Sequence, residues 1–104
     1  MQIRRRDATL VLAGHFDGRC TAQVREELRA AINETSDTDI VLDLAGVLSV
    51  DATAIKLIAA ASATLEERGR RLILRGCSPG LKRVLTFTRW RRLFQVERDI
   101  AQPA

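Results

Sequence analysis

The stretch that decides the fold reads VLDLAGVLSVDATAIKLIAAASA and covers residues 41–63. It begins inside a run, residues 40–44, whose apolar side chains would face both sides of a sheet, which is typical of a buried central strand. Residues 45–50 are predicted to form a turn. Asp51 then stands at a good N-cap position, and the alanine-rich residues 52–67 predict a helix. We expect the rest of the chain to pack around this strand-to-helix unit.

Strands and helices alternate along the rest of the chain, after an opening hairpin. The predicted strands cover residues 3–6, 9–13, 71–75 and 94–96, and the other predicted helices cover residues 20–33 and 79–88. The order ββαβαβαβ predicts an α/β fold, a single domain over residues 1–104 with a mixed, mostly parallel sheet and helices packed against it. Glycines predict a loop over residues 14–18, and residues 98–104 are expected to form a loose tail.

The composition indicates one globular domain. The chain has 104 residues, of which 46% are hydrophobic, so it can bury a core without disulfides. No apolar run approaches the roughly 20 residues that cross a bilayer, which predicts no membrane insertion. The opening residues, MQIRRRDATL, lack the apolar stretch of an export signal, so the cytoplasm is the expected compartment.

The net charge of +4 raises the question of nucleic acid as a partner. The arginines occur in small clusters that acidic and apolar residues interrupt, which indicates a solvated surface. Aromatic residues make up 4% of the chain and tyrosine is absent, so no stacking platform for single strands is expected. We therefore expect no nucleic-acid partner, and an acidic protein or a membrane surface stays open as a binding partner.

The residues that usually carry catalysis are sparse. His15 is the single histidine, and the chain contains no nucleophile elbow, P-loop or dinucleotide fingerprint, so neither an enzyme nor a cofactor is expected. His15, Asp17 and Cys20 lie close together, but their spacing matches no common zinc pattern, so no metal is expected. Cys20 and Cys77 form no CxxC motif and are expected to be reduced thiols. They can form a redox pair only if their Cα atoms lie within about 7 Å.

Two acidic residues follow predicted strands, Asp17 after the second and Asp51 after the third. If those strands are neighbours, both carboxylates lie at one edge of the sheet, close to Thr53 in the first turn of the next helix. The alternative is that both are helix caps, with Thr21 as another candidate cap for the first helix. The free N–H groups and the dipole of a helix start tolerate negative charge, so a hydroxyl there can carry a phosphate.

Three stretches of the chain, taken in order, resemble the STAS domain family and specifically its stand-alone anti-sigma factor antagonists. LVLAGHFD at residues 10–17 resembles the family's strand that ends in Gly-x-x-Asp. VLDLAGVLSVDATAIKL at residues 41–57 resembles its apolar strand followed by Asp-Ser-Ser/Thr-Gly-Leu. RLILRGCSPGLKRVL at residues 71–85 resembles its next strand and proline-led helix.

The resemblance implies a regulatory role. In the family, the second hydroxyl residue of the Asp-Ser-Ser/Thr-Gly motif, here Thr53, is phosphorylated by a partner. That partner is an anti-sigma factor with a histidine-kinase-like ATPase fold. The unphosphorylated antagonist binds this kinase and frees a sigma factor, and phosphorylation breaks the complex. The residues expected at the partner interface are His15, Asp17, Asp51, Ala52 and Ala54.

The motif departs from the family pattern at two positions. Ala52 replaces the first serine, which leaves Thr53 as the sole acceptor in the motif. Ala54 replaces the glycine and is expected to place a methyl group where the partner's backbone approaches. The missing glycine slightly favours an alternative, a STAS subunit that docks on the ATPase of an ABC transporter and is not phosphorylated.

Overall fold

A computed structural model of the chain describes residues 1–88, 92 and 94–96. Within this part, the elements follow one another as the sequence predicts, in the order ββαβαβαβ. They are β1 (Gln2–Arg6), β2 (Thr9–Phe16), α1 (Thr21–Glu34), β3 (Ile40–Val50), α2 (Ala52–Glu67), β4 (Leu72–Arg75), α3 (Pro79–Thr86) and β5 (Gln95–Val96). The predicted tail at residues 98–104 lies outside the described residues.

The strands form a mixed sheet in the order β1-β2-β3-β4-β5. β1 and β2 pair antiparallel, and β2, β3, β4 and β5 pair parallel, which confirms the predicted mostly parallel sheet. β2, β3 and β4 therefore end on the same side, which we call the carboxyl edge. The opposite side, where these strands begin, is the amino edge.

One face of the sheet carries most of the core. Along β3, Ile40, Leu42 and Leu44 are buried, whereas Val41 and Asp43 between them are half-buried. Because neighbouring strand residues point to opposite faces, this alternation shows that one face is covered more completely than the other. The core residues of α1 and α2 form a single cluster with this buried face.

β2 and β3 are both longer than the sequence predicted. Residues 14–18 were predicted as a loop and residues 45–50 as a turn, but β2 continues to Phe16 and β3 to Val50. The two strands pair in parallel over this extension, and irregularities in their register accommodate Gly14, whose φ is +107°. The loop prediction is wrong for residues 14–16 and right for residues 17–18, and the turn prediction is wrong, because strand pairing outweighs the local preference of the glycines.

α2 begins and ends where the sequence predicted. Its N-cap is Asp51, and Gly69 follows its end with a φ of +70°. The Gly69 N–H donates to the Glu66 carbonyl at 3.0 Å and the Arg70 N–H donates to the Leu65 carbonyl at 2.9 Å. These two bonds form a Schellman motif, which needs a left-handed residue such as glycine.

α1 begins without a side-chain cap. Its N-cap residue is Cys20, and neither Asp17 nor Thr21 caps the helix, so that prediction is wrong. Asp17 instead pairs with Arg19, and the Thr21 hydroxyl donates to the Gly18 carbonyl at 3.2 Å. Both side chains thus stabilise the loop before the helix.

α3 has the predicted start. The Ser78 hydroxyl accepts the Leu81 N–H at 3.1 Å, and Pro79 occupies the first turn. Among the helices of the described residues, none combines the length and the apolar character that crossing a membrane requires.

Candidate functional site

The loop after β2 and the start of α2 meet at the carboxyl edge. Phe16 pairs with Val50 in the last register position of the two strands. The Asp51 N–H then donates to the Phe16 carbonyl at 3.2 Å, and the Gly18 N–H donates to Asp51 Oδ2 at 3.1 Å. The prediction that Asp17 and Asp51 follow neighbouring strands at one edge of the sheet is confirmed.

The carboxylate of Asp51 is occupied by the fold itself. Its Oδ1 accepts the Ala54 N–H at 2.9 Å, which is the N-cap bond of α2, while Oδ2 accepts from Gly18. The helix-cap alternative is therefore correct for Asp51 and wrong for Asp17. Asp51 fixes the geometry of the site by joining the loop to the helix.

Thr53 lies in the first turn of α2, and its side chain is exposed. In the part of the chain that the structure describes, no protein group hydrogen-bonds to its hydroxyl. The closest feature of the preceding loop is Gly18, where an added Cβ would lie 4.0 Å from Thr53 Oγ1. The hydroxyl thus stands open beside free helix N–H groups, where the helix dipole favours added negative charge.

Asp17 is paired within its own loop. Its Oδ2 lies 2.8 Å from Arg19 Nη2, and its Oδ1 accepts the Arg19 N–H at 3.0 Å. These bonds from Arg19, side chain first and backbone second, lower the pKa of the Asp17 carboxyl. The Arg19 side chain is 85% exposed, so this ion pair lies at the solvent surface near Gly18.

The sequence predictions for this site did not include Arg19. The signal was available, since Asp17 and Arg19 stand two positions apart in a glycine-containing loop, where an aspartate often binds the backbone two residues on. The spacing alone did not distinguish this pairing from helix capping.

His15 is exposed near the end of β2, and its Nδ1 lies 2.7 Å from Ser49 Oγ. This hydrogen bond links the ends of β2 and β3 at the surface of the protein. The sequence does not predict Ser49 as part of the site, because it predicts a turn over residues 45–50.

The two alanines of the motif differ in burial. Ala52 is exposed next to Thr53, as an interface residue must be. Ala54 is 0% exposed and its N–H is taken by Asp51, so its methyl group points into the core. The expectation that this methyl group meets a partner's backbone is therefore wrong, because this position of α2 faces the sheet.

The thiols and potential metal ligands form no further centre. Cys20 and Cys77 are both free and buried. Burial raises the pKa of the Cys77 thiol, which disfavours the reactive thiolate. The Cys20 thiol donates to the Asp17 carbonyl at 3.3 Å and so helps to shape the loop. No group of three or more potential metal ligands occurs among the described residues, which include His15.

Comparisons with known proteins agree with the fold of this chain. The family model described as "Mlab, STAS domain" matches residues 1–95. None of the curated proteins matches the chain. Several solved structures share the fold. One is the anti-sigma factor antagonist SpoIIAA in its unphosphorylated form, with 22% identity, a TM-score of 0.70, and coverage of 96% of this chain and 89% of that chain.

Two further structures extend the comparison. The phosphorylated form of SpoIIAA, described as a cell fate determinant of Bacillus, has 22% identity and a TM-score of 0.67, with 94% of this chain and 91% of that chain covered. An RsbS variant from Moorella thermoacetica has 20% identity and a TM-score of 0.67, with coverage of 96% and 87%. At these identities the likeness concerns the fold.

Proposed function

Because the chain belongs to the STAS domain family, as its three motifs predicted, we propose that it is an anti-sigma factor antagonist. In this proposal it binds a kinase-type anti-sigma factor and is released when that kinase phosphorylates Thr53. The unphosphorylated and phosphorylated forms of SpoIIAA have the same fold as this chain, which supports a switch that leaves the fold intact.

The observation that carries the proposal is the exposed hydroxyl of Thr53 at the start of α2. A kinase needs an accessible acceptor, and the fold must tolerate the product. A phosphate adds about −1.5 to −2 charges at pH 7, and a helix N-terminus is the place where the backbone best accommodates it. Since Asp51 already caps the helix, the phosphate is not needed to stabilise α2.

The switch acts through binding. Before modification, the surface around Thr53 presents a neutral hydroxyl, the exposed Ala52 and the backbone at Gly18. A partner that fits this surface removes water from it. After modification, the partner would have to bury a phosphate beside the carboxylate of Asp51, and like charges in a desolvated interface are strongly unfavourable. The phosphorylated chain is therefore released.

The two departures from the family motif are compatible with this role. Ala52 removes a competing hydroxyl and leaves Thr53 as the acceptor at the start of α2. Ala54 lies in the core, so its methyl group does not change the surface that a partner meets.

Phosphorylation by purified kinases tests the proposal. Each histidine-kinase-like anti-sigma factor of the source genome is incubated with the chain and ATP, and the product is mapped by mass spectrometry. We expect one phosphate on Thr53, lost in Thr53→Ala. Thr64→Ala is the matched control, because Thr64 is exposed on the same helix and its hydroxyl donates to the Ala60 carbonyl at 3.1 Å.

Two results contradict the proposal. The first is a phosphate on another residue that survives Thr53→Ala. The second is stable binding to the ATPase of an ABC transporter with Thr53 unmodified, which would instead support the transporter-subunit role.

A further inference from the structure

Leu48 is a large apolar side chain that the fold turns toward solvent. It is 76% exposed near the end of β3. β2 advances one residue from Gly14 to His15, while β3 advances two from Val47 to Ser49, so Leu48 is the extra residue of a bulge. Bulges re-aim side chains and often occur next to functional sites.

A groove lies beside Leu48, between the end of β3 and the first turns of α3. Its volume is about 270 Å³. Its lining is mixed: Val47, Val50, Leu81 and Val84 contribute apolar groups, and Ser49 and Ser78 contribute polar ones. Successive strand residues point to opposite faces, yet residues 47–50 all line this groove, so it runs along the edge of the strand. Among the described residues, β4 pairs with β3 only as far as Asp43, which leaves this edge open.

We propose that Leu48, together with the mixed groove beside it, is the anchor by which the kinase-type anti-sigma factor holds the unmodified chain. The inference rests on the proposed function and assigns the residues that supply affinity. The partner is expected to offer an apolar pocket for Leu48 and, for the groove, a side chain that has both an apolar body and a polar end.

The position of the anchor supports this assignment. Val50 lines the groove and directly precedes Asp51, the cap of the helix that carries Thr53. Ser49, which pairs with His15, lies between Leu48 and Val50 in the chain. Leu48 and Thr53 are therefore both exposed and five positions apart in the chain, so one partner can contact both.

The size of the patch argues against a second copy of this chain as the occupant. A stable interface buries about 800 Å² on each side, and one leucine beside a small groove provides only part of that. As the centre of a larger surface that includes the start of α2, the same leucine is well placed, because a few buried side chains dominate binding.

Binding of single variants to the purified kinase tests the anchor. Leu48→Ala should weaken binding of the unmodified chain about tenfold or more, and Leu48→Met should retain most of the affinity. Phe87→Ala is the matched control, since Phe87 is 81% exposed and does not line the groove, and its affinity should stay within about twofold. Isothermal titration calorimetry gives the affinities, and thermal unfolding by circular dichroism shows that each variant folds.

The outcomes separate the anchor from the function. If Leu48→Ala binds like the native chain while Thr53→Glu does not, the anchor is wrong and the proposed function stands. Equal losses of affinity in Leu48→Ala and Phe87→Ala also overturn the anchor proposal, because the effect is then not specific to Leu48. A dimer in light scattering that Leu48→Ala dissolves assigns the patch to self-association. If no kinase binds the native chain, the proposed function fails and the anchor fails with it.

Discussion

The two edges of the sheet differ in how far their key side chains are exposed. At the amino edge, Arg70 is only 6% exposed, and its guanidinium is surrounded by hydrogen-bond acceptors. At the carboxyl edge, the hydroxyl of Thr53 and the side chain of Leu48 face solvent. One edge of this small domain thus buries a charged group within the fold, whereas the other edge leaves exposed groups that a partner can reach.

The amino edge depends on one buried cation. Arg70 Nε donates to the Thr38 carbonyl at 2.7 Å, and its Nη1 donates to the Ile32 carbonyl at 2.9 Å. Its Nη2 donates to the hydroxyl of Thr35, the C-cap residue of α1. The positive charge thus lies at the negative end of the α1 dipole, and it joins the end of α1 and the loop before β3 to the segment that follows α2.

The largest expected effect on stability is that of removing the buried cation of Arg70 at the amino edge. Arg70→Met keeps much of the side-chain volume but leaves the buried carbonyl of Ile32 and the partly buried carbonyl of Thr38 without this donor. We expect the free energy of unfolding, measured by urea denaturation, to fall by about 3 kcal/mol. Arg68→Met, at an exposed neighbouring position, should change it by less than about 0.5 kcal/mol. Equal effects in the two variants would show that the buried contacts of Arg70 do not stabilise the fold.

A smaller loss is expected at Asp51, a carboxyl-edge side chain that caps α2 and joins it to the preceding loop. Asp51→Ala removes the cap of α2 and the acceptor for the Gly18 N–H, and should lower the free energy of unfolding by about 1–2 kcal/mol. Asp51→Asn keeps an oxygen for the Ala54 N–H and should lose about half as much. If the asparagine variant is as unstable as the alanine variant, charge and not capping explains the role of Asp51.

The features that the sequence predicted are those with local signals. Asp51 caps α2 and Gly69 follows its end because each acts on backbone groups within a few residues. The predicted start of α3 at residue 79 also rests on short-range chemistry, because Ser78 caps the helix and Pro79 occupies its first turn. Short-range chemistry of this kind can be predicted from a single sequence, and it was enough to place Thr53 at the start of a helix.

The features that the sequence did not predict depend on distant partners. Arg70 contacts acceptors 32 and 38 positions away in the chain, so nothing near it predicts its burial. The extension of β3, and with it the exposure of Leu48, follows from pairing with β2. The burial of Ala54 depends on which side of α2 packs against the sheet. Ala54 lies at the border of the apolar stripe of α2, so the sequence alone allowed it to be either buried or exposed.

A charge at Thr53 should leave stability almost unchanged, in contrast to Arg70. In Thr53→Glu the carboxylate gains from the helix dipole and loses through its proximity to Asp51, so the free energy of unfolding should stay within about 0.5 kcal/mol of the native value. Urea denaturation measures this. Binding of the same variant to the kinase should fall sharply, and Thr53→Gln, which has a similar shape and no charge, should fall less.

A clear loss of stability in Thr53→Glu would contradict the view that the two edges differ in their tolerance of change. It would mean that the start of α2 cannot accept charge. Release of the partner would then reflect partial unfolding of the carboxyl edge and not electrostatic repulsion at an intact surface.

The smallest expected effect concerns the ion pair beside the candidate site. Arg19 lowers the pKa of Asp17 through its side-chain and backbone bonds, so Arg19→Gln should return that pKa toward the ordinary carboxyl value of about 4. NMR titration of the Asp17 carboxyl carbon measures this shift.

The sign of the linked stability effect follows from the lowered pKa. A carboxyl whose folded pKa is depressed contributes stability above its unfolded pKa and loses it as the pH falls through the folded pKa. The native chain should therefore exceed Arg19→Gln slightly in stability near neutral pH, and the difference should vanish in strong acid. Because the pair is solvent-exposed, 100 mM salt should reduce the difference at neutral pH as well. A difference that persists in acid or in salt would mean that Arg19 orders the loop by packing, which would make the carboxyl edge more rigid than its exposed groups imply.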